Sequence, residues 1–453
     1  MKIRITILGV FVFLVLASIF YFTRGGIKYL DGNKLNGSCA GKKCNVVLIY
    51  VDTLSSRHLS GNGYFRQTSP FIDEFFLNQG LVFKKAVSNA TWTVPSFSSM
   101  FKSKLASDIT VNEMINSQDK GDFVDYLRET GIDIKAVLRN QPTTVDQAID
   151  PRFTKEEIIQ APREKTFEKS SEWLKARVEA GNNDQFFMLI HSWDVHHPFD
   201  PPEPYRSMFG GNNSYKGPLD LEDFQKYRKV PIDDWRSQLE QVQLQYDQGI
   251  RKTDDYIRGF IEEFPKEYRD NTVFILTADH GEGFAQHDNF VGHAFAPYQE
   301  IISVPLSIVM PGNTRKIEVK NTVSLIDLAP TILDMFNIDK PQAYLGRSLL
   351  DFQTGSHEER LVKSEFGQSL WLTNIKGLYP ENEGENLPIM TTDMVGGILG
   401  KWKVMNFEGR DIELFDLEQD PNEQKNLVGE VDNLPDKDKR MIKDIFDGLG
   451  VKY

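Results

Sequence analysis

Asp52, Asp279 and His280 are residue types that grip cations, and each lies at or within four residues of the end of an apolar run. Asp52 ends "NVVLIYVDTL", while Asp279 and His280 end "NTVFILTADHGEG". A third segment, "FFMLIHSWDVHHPFDPP", delivers His191, Asp194, His196 and His197. Carboxylates and imidazoles bind divalent metals, and an imidazole titrating near neutrality also moves protons. Of eight histidines, His191, His196, His197, His280, His287 and His293 fall in two short stretches, leaving only His58 and His357 elsewhere. A scattered surface population would not cluster in this way. A hydroxyl that could react beside them lies in "SNATWTVPSFSSM", residues 88–100. Thr93, two residues before Pro95, reads first as a helix N-cap, with Thr91 as a rival hydroxyl.

The elements that must position these groups follow from the flanking patterns. Val46–Val51, Phe186–Ile190 and Val273–Leu276 are apolar at every position, as expected for strands buried on both faces of a parallel sheet. "LVFKKAVSNATW" is a weaker strand leading to Thr93. Between the strands lie helical patterns such as "DFVDYLRETG" and "QLEQVQLQYDQGIRKTDDYIRGFIEEF". Strands alternating with helices predict an α/β fold with a large, mostly parallel sheet flanked by helices. Ligands of such sheets bind beyond the carboxyl ends of the strands, where the Asp and His residues occur. Phe97, Met100 and Phe101 have the i, i+3, i+4 spacing that anchors a helix after Thr93 in the core. Residues 201–231, rich in Pro, Gly, Asn and Asp, read as a long excursion over the histidine face. After about residue 344 the pattern changes, and "GKWKVMNFEGRDIELFDL" predicts a hairpin around Glu408–Gly409 in a smaller α+β C-terminal subdomain.

The chain of 453 residues is 40% apolar, ample for a sizeable core. Its net charge of -13 disfavours nucleic acid as a partner, because the basic stripe that phosphate backbones require is missing. Lys2 and Arg4 precede an uncharged apolar run from Ile5 to Thr23, long enough to span a bilayer. Residues 1–23 are expected to form an uncleaved signal anchor and 24–44 a linker. Residues 45–343 would form a catalytic domain and 344–453 the C-terminal subdomain. The expected location is the cell membrane, single-pass, with the catalytic domain periplasmic or extracellular. Cys39 and Cys44 are the two cysteines, and an exported location makes a small disulfide feasible, with free thiols as the alternative.

Several motifs in register, spanning about Asn45 to Leu427, resemble the sulfatase family of the alkaline phosphatase superfamily. "NVVLIYVDTL" is similar to the family's opening strand and metal aspartate, and "TWTVPSF" falls where the family has its nucleophile motif. "HSWDVHHPF", "LTADHGEGFAQH", "VSLIDLAPTILDMF" and "ELFDLEQDPNEQKNL" follow in order. The resemblance implies that Asp52, Thr93, Asp279 and His280 hold one divalent cation, with Thr93 as nucleophile. It also implies that His196 is the substrate-binding histidine, with His191, His287 and His293 as further candidates and Arg139 close to the family's substrate lysine. An imidazole titrating near neutrality at His196 or His293 suits protonation of the leaving group. Asp194 and His197 could instead hold a second metal. Mn or Zn suits an Asp/His/hydroxyl set, and Ca or Mg an oxygen-dominated one.

The departures also carry information. Family sulfatases mature a Cys or Ser to formylglycine, whereas this position holds Thr93, so no formylglycine is expected. Phe97 stands where they have arginine, and Thr53 where they have a second aspartate. Threonine nucleophiles are typical of the superfamily's phosphoryl transferases and phosphodiesterases, which favours phosphate over sulfate esters. The expected function is therefore a membrane-anchored hydrolase of anionic phosphate or sulfate esters. The alternatives are a phospho-head-group transferase acting on an envelope lipid or glycan, and a non-catalytic binding protein with the same fold.

Overall fold

A computed structural model describes residues 43–452 apart from 116–120, 141–148, 211–232, 234, 288–289, 313–314, 354–357, 368–392 and 408. The expected membrane segment, most of the linker, Cys39, His357 and most of the 201–231 excursion lie outside the described residues. Among the described residues no helix is long and apolar enough to cross a membrane.

The apolar runs form the centre of the main sheet. β1 (Asn45–Val51) is buried along its whole length, and pairs in parallel with β5 (Phe186–Ser192) on one side and β6 (Thr272–Thr277) on the other. β2 (Gly80–Val87), β3 (Asp133–Arg139), β4 (Ile158–Ala161), β10 (Leu306–Val309) and β11 (Lys316–Ser324) complete the order β11-β2-β10-β6-β1-β5-β3-β4, and the short β9 (Ser303–Val304) joins β2. β10 runs antiparallel to both its neighbours, while β11 and β2 are mutually parallel. The carboxyl ends of β1, β2, β3, β5 and β6 consequently share one edge. Asp52, the Thr93 loop, Arg139, the 191–197 histidines and Asp279–His280 all leave from that edge. The small ribbon of β7 (Gly283–Phe284) and β8 (Val291–Gly292) follows β6 there.

The helices that matter for the site are α1 (Thr93–Lys102) and α2 (Arg236–Glu262). Along α2 the buried residues Leu239, Val242, Tyr246, Ile250, Ile257 and Phe260 recur at three, four or seven residues, lining one face as an amphipathic helix requires. Gly249 in this helix lets the chain carrying Asp194 approach, since a Cβ there would lie 3.1 Å from the Asp194 carbonyl oxygen. α1 is buried on every side. Phe97 stacks on Phe101 at 4.0 Å and meets the Tyr50 ring edge-on at 5.6 Å, so the core-facing stripe expected of Phe97, Met100 and Phe101 is present.

The C-terminal subdomain is a four-stranded antiparallel sheet covered by one helix. Its strands are β12 (Val362–Phe366), β13 (Met394–Leu399), β14 (Trp402–Phe407) and β15 (Glu413–Asp416), in that order. β14 and β15 form the hairpin expected around Gly409. Helix α3 (Asp436–Leu449) buries Ile442, Ile445 and Phe446 against Trp402, Val404 and Leu414. The subdomain does not stand apart: Trp92 and Val94 at the start of α1 share an apolar cluster with Phe295, Tyr298, Met405, Phe407 and Phe415.

Candidate metal and nucleophile site

Asp52, Asp279 and His280 converge with ligand atoms within 4.8 Å of one another, all three fully buried. The register that aligns Tyr50 with Thr277 across β1 and β6 brings the residues just beyond the two strand ends to one level. Asp279 Oδ1 accepts hydrogen bonds from the amides of Thr53 (3.1 Å) and His280 (2.9 Å). Asp279 Oδ2 and Asp52 Oδ1 are buried with no hydrogen-bond partner. Burial, with the Asp279 charge beside it, pushes the Asp52 carboxyl well above its ordinary range. His280 Nδ1 donates to the Gly281 carbonyl at 2.8 Å. Its Nε2 lone pair therefore faces Thr93 Oγ1 at 3.3 Å and Asp279 Oδ2 at 3.3 Å. Two orphaned carboxylate oxygens, a tautomer-fixed imidazole and a hydroxyl are the donor set a divalent cation satisfies. The residues present fit a metal ion.

Thr93 is not the cap of its helix. Trp92 occupies the N-cap with extended dihedrals and no capping side chain, and Thr93 is the first helical residue. Its hydroxyl is thereby released from the capping expected of it and turned toward His280. First-turn amides have no intrahelical acceptor, so Thr93 and Val94 offer N–H donors, and the helix dipole favours an anion there. Ser96 Oγ donates to the Asp279 carbonyl at 2.8 Å, fastening α1 to the strand end that carries Asp279 and His280. Thr53 adopts a left-handed backbone with φ of 60°, unusual for a β-branched residue. That conformation aims its amide at Asp279, while its carbonyl accepts from Tyr246 Oη at 2.6 Å. The fold thus holds strain beside the proposed ligands, as functional sites often do.

His191 lies behind Asp52, and its contacts do not reach toward substrate. Trp193 Nε1 donates to His191 Nδ1 at 3.2 Å, so His191 Nε2 carries its proton and donates to Asp52 Oδ2 at 3.3 Å. Arg139, at the end of β3, lies over the Trp193 ring at 3.8 Å and backs this chain of contacts. The expectation that His191 binds substrate is replaced by a positioning role, because the imidazole is 1% exposed and both ring nitrogens are engaged.

His287 also departs from expectation. Its ring stacks on Tyr298 at 3.7 Å, with Nδ1 2.6 Å from Glu300 and Nε2 3.1 Å from the Glu423 carbonyl. Burial opposes its protonation, but the Glu300 hydrogen bond and charge outweigh this and raise its pKa. It braces the 283–300 loop against the C-terminal subdomain and does not join the ligand cluster. Asp194 turns toward α2, pairing with Lys252 Nζ at 2.7 Å and accepting from Ser192 Oγ at 3.0 Å. It is therefore not a partner of His197 in a metal set.

His196, His197 and His293 form a second convergence, with ligand atoms again within 4.8 Å. Burial and the neighbouring histidines hold His196 well below its ordinary pKa, and burial holds His293 at about 4. Both are neutral at pH 7 in the free protein, so neither stands ready as the protonated acid that was expected. Two partners escaped the sequence reading. Glu282, fully buried and pushed by burial to about 7, accepts from His293 Nδ1 at 3.0 Å, and Lys252 neutralises Asp194. Glu282 stands only two residues after His280, a spacing that could have drawn notice. Lys252 left no local signal, since it arrives from the distant helix α2.

Known proteins provide the frame for this geometry. The sequence model of the family described as Sulfatase matches residues 44–338, and that described as N-sulphoglucosamine sulphohydrolase, C-terminal, matches residues 294–445. Arylsulfatase K of Gallus gallus is 27% identical over 290 residues, covering 58% of this chain and 51% of that protein. Human arylsulfatase K is 24% identical over 453 aligned positions, covering 86% of this chain and 80% of its own length. The match thus spans about half the length of the chicken relative. Among solved structures, the phosphonate monoester hydrolase of Silicibacter pomeroyi superposes with a TM-score of 0.66 at 17% identity, covering 90% of this chain and 94% of that one. BT1596, described as a 2-O GAG sulfatase, superposes at 0.64 and 17% identity over 91% of this chain and 94% of that one. These superpositions bear out the expected fold of a large mixed sheet with a small C-terminal subdomain. With the family's own sequence model matching 44–338, well over half of its length, this chain belongs to the sulfatase family.

Proposed function

We propose that this protein is a metal-dependent ester hydrolase that uses the Thr93 hydroxyl as nucleophile. Phosphate or phosphonate esters are favoured over sulfate esters, and the protein would work outside the cytoplasm from a membrane anchor formed by residues 1–23. The carrying observation is Thr93 Oγ1 lying 3.3 Å from His280 Nε2, beside two carboxylates that each keep an unpaired oxygen. The position holds a residue that formylglycine maturation cannot convert. A divalent cation held by Asp52, Asp279, His280 and Thr93 would supply the charge that lowers the hydroxyl's pKa and offsets the ester's negative oxygens.

The protein's own groups do the rest. The Thr93 and Val94 amides and the α1 dipole bind the anionic ester against the nucleophile. Oγ1 forms the bond to phosphorus or sulfur as the ester's alcohol oxygen leaves, and water then cleaves the Thr93 ester to restore the hydroxyl. His191 and Arg139 keep Asp52 oriented throughout. Anionic sulfate and phosphonate esters are the chemistry named for several relatives and structural neighbours, which supports an anionic ester as substrate.

The test is a panel of aryl phosphate, phosphonate, phosphodiester and sulfate esters assayed with added Mn or Zn. Thr93→Ala is expected to abolish turnover with the fold intact, and Thr93→Ser to retain part of it. Rapid acid quenching of the wild-type protein should leave phosphate or sulfate on the peptide carrying Thr93. Full activity in Thr93→Ala would overturn the assignment.

A further inference from the structure

Tyr246, in the middle of α2, is completely buried, and its phenol is spent on two backbone groups of the turn that follows β1. Tyr246 Oη donates to the Thr53 carbonyl at 2.6 Å and accepts from the Ser55 amide at 2.9 Å. Burial raises the pKa of this phenol well above its ordinary value, so the donated proton stays on the oxygen. The ring is held in place, with the ring centroids of His58, Phe199 and Phe284 lying 5.0, 5.7 and 5.0 Å from its own. Asp247, the next residue, accepts from His58 Nδ1 at 2.8 Å and from Tyr64 Oη at 2.7 Å, which pins α2 to the same loop a second time.

The turn secured in this way lies against the segment that carries Asp279 and His280. Thr53 keeps φ at 60°, a conformation that β-branched residues avoid, and from it the Thr53 amide reaches Asp279 Oδ1 at 3.1 Å. The His280 amide binds the same oxygen. Two donors thus fix Oδ1 and leave Oδ2 on the side of His280 Nε2, 3.3 Å away. At the far end of the turn Ser55 packs on Gly281, where an added Cβ would lie 3.0 Å from the Ser55 Cβ. The Thr53 side chain does not hold its own backbone, since Oγ1 is buried with no hydrogen-bond partner. The hydroxyl that secures this strained residue comes from a helix 193 positions along the chain.

We propose that Tyr246 is a positioning residue of this site: its phenol keeps Thr53 left-handed and, through the Thr53 amide, sets which Asp279 oxygen faces the nucleophile. Without the phenol, a buried carbonyl and a buried amide both lose their partner. The turn then relaxes toward negative φ, the Thr53 amide leaves Asp279, and the carboxylate gains freedom to rotate. Losing a hydrogen-bonding partner behind a metal ligand costs about 10- to 100-fold in metal affinity or activity. Tyr246 acts through one intervening residue and touches no reacting atom, which places it at the lower end of that range. This inference deepens the hydrolase reading above and rests on it for the effect on turnover, whereas the effect on cation binding is measured without turnover.

The experiment uses the full chain, stripped with chelator and titrated with Mn well below its melting temperature, with free Mn followed by electron paramagnetic resonance. Tyr246→Phe, which removes a single oxygen, is expected to bind Mn about tenfold more weakly than the wild type. In saturating Mn it is expected to lose about tenfold in kcat with KM nearly unchanged. Glycine takes positive φ as readily as negative, so on top of Thr53→Gly the same change should cost less than about threefold. A merely structural Tyr246 would lower the denaturation midpoint in both backgrounds alike and leave the Mn affinity of the folded protein unchanged. Unchanged Mn affinity in Tyr246→Phe, or a loss that persists undiminished on top of Thr53→Gly, overturns the proposal. Should Tyr246→Phe alone fail to fold, the double variant is compared with Thr53→Gly, and a loss of about tenfold there counts against it. Thr93→Ala is read on the ester panel and the Tyr246 variants on the Mn titration, so either claim can fail while the other stands.

Discussion

Replacing Asp52 by asparagine is expected to change stability in opposite directions with and without metal. The ligand oxygens of Asp52 and Asp279 lie within 4.8 Å, and two unit charges at that separation repel by about 3.5 kcal/mol at an effective dielectric of about 20. Wild-type protein without metal avoids part of this by keeping a proton on Asp52, whose pKa burial and Asp279 raise. The gain from Asp52→Asn under chelation is therefore about 1–3 kcal/mol. With the cation present the balance reverses, since its attraction to the carboxylate involves twice the charge at less than half the distance, roughly four- to fivefold more energy than the repulsion removed. Unfolding entropy for a chain of 453 residues amounts to about 1 kcal/mol per degree if it melts as one unit. The chelated variant should thus melt about 1–3 °C above the wild type, and the metal-saturated variant below it. Differential scanning calorimetry in chelator and in saturating Mn or Zn reads both signs. If the variant shifts the same way in both buffers, the two carboxylates do not share a cation and the site assignment fails.

Phe97→Ala should cost about 3–5 kcal/mol, because the ring is fully buried between Phe101 and Tyr50. Urea titration checks this, and a loss under 1 kcal/mol would show that the ring does not anchor α1. Asp254 accepts the amides of Phe71 and Ile72 and is raised by burial to about 6. Its folded pKa exceeds the unfolded one, so the stability tied to its proton is present below about pH 4 and lost as pH rises through 6. Relative to Asp254→Asn, the wild type should lose up to about 3 kcal/mol between pH 4 and 7, and a pH-independent difference in denaturation midpoints would refute this. Lys403, fully buried, is paired with Glu423 and bonded to the Pro297 carbonyl at 2.6 Å. Lys403→Met alone should cost about 3–5 kcal/mol by leaving Glu423 unpaired, and the double variant with Glu423→Gln should recover much of it. Equal losses in thermal melts of the single and double variants would count against that pairing.

Asp52, Asp279 and His280 were legible because an uninterrupted apolar run marks a central parallel strand, and the first polar residues after it must emerge at the ligand-binding edge. Thr93 was legible as a hydroxyl at a helix start. Its place one residue inside the helix was not, because a threonine ahead of proline suits both positions and only the extended Trp92 backbone decides between them. The fates of Asp194, His191 and His287 were hidden for a common reason. Each depends on a partner far along the chain: Lys252 from α2, Asp52 just past β1, and for His287 the Glu423 carbonyl of the C-terminal subdomain, beside Glu300 of its own loop. The reversal of β10 left no pattern either, since a short strand flanked by buried neighbours reads alike in both directions.

The position of β1 in the sheet has a consequence for biosynthesis. This strand emerges first of those described, yet its two neighbours begin at Phe186 and Thr272. At about 5–20 residues per second, β1 waits roughly 10–45 s after its own synthesis before β6 exists to cover its second edge. The wait for a finished centre is longer, since Lys403 and Glu423, which brace the loop bearing His287 and His293, are made later still. A nascent chain therefore carries an open strand, apolar from Val46 to Val51, for about half of its translation. That interval, more than the finished enzyme, is when this protein is exposed to aggregation and to chaperone capture.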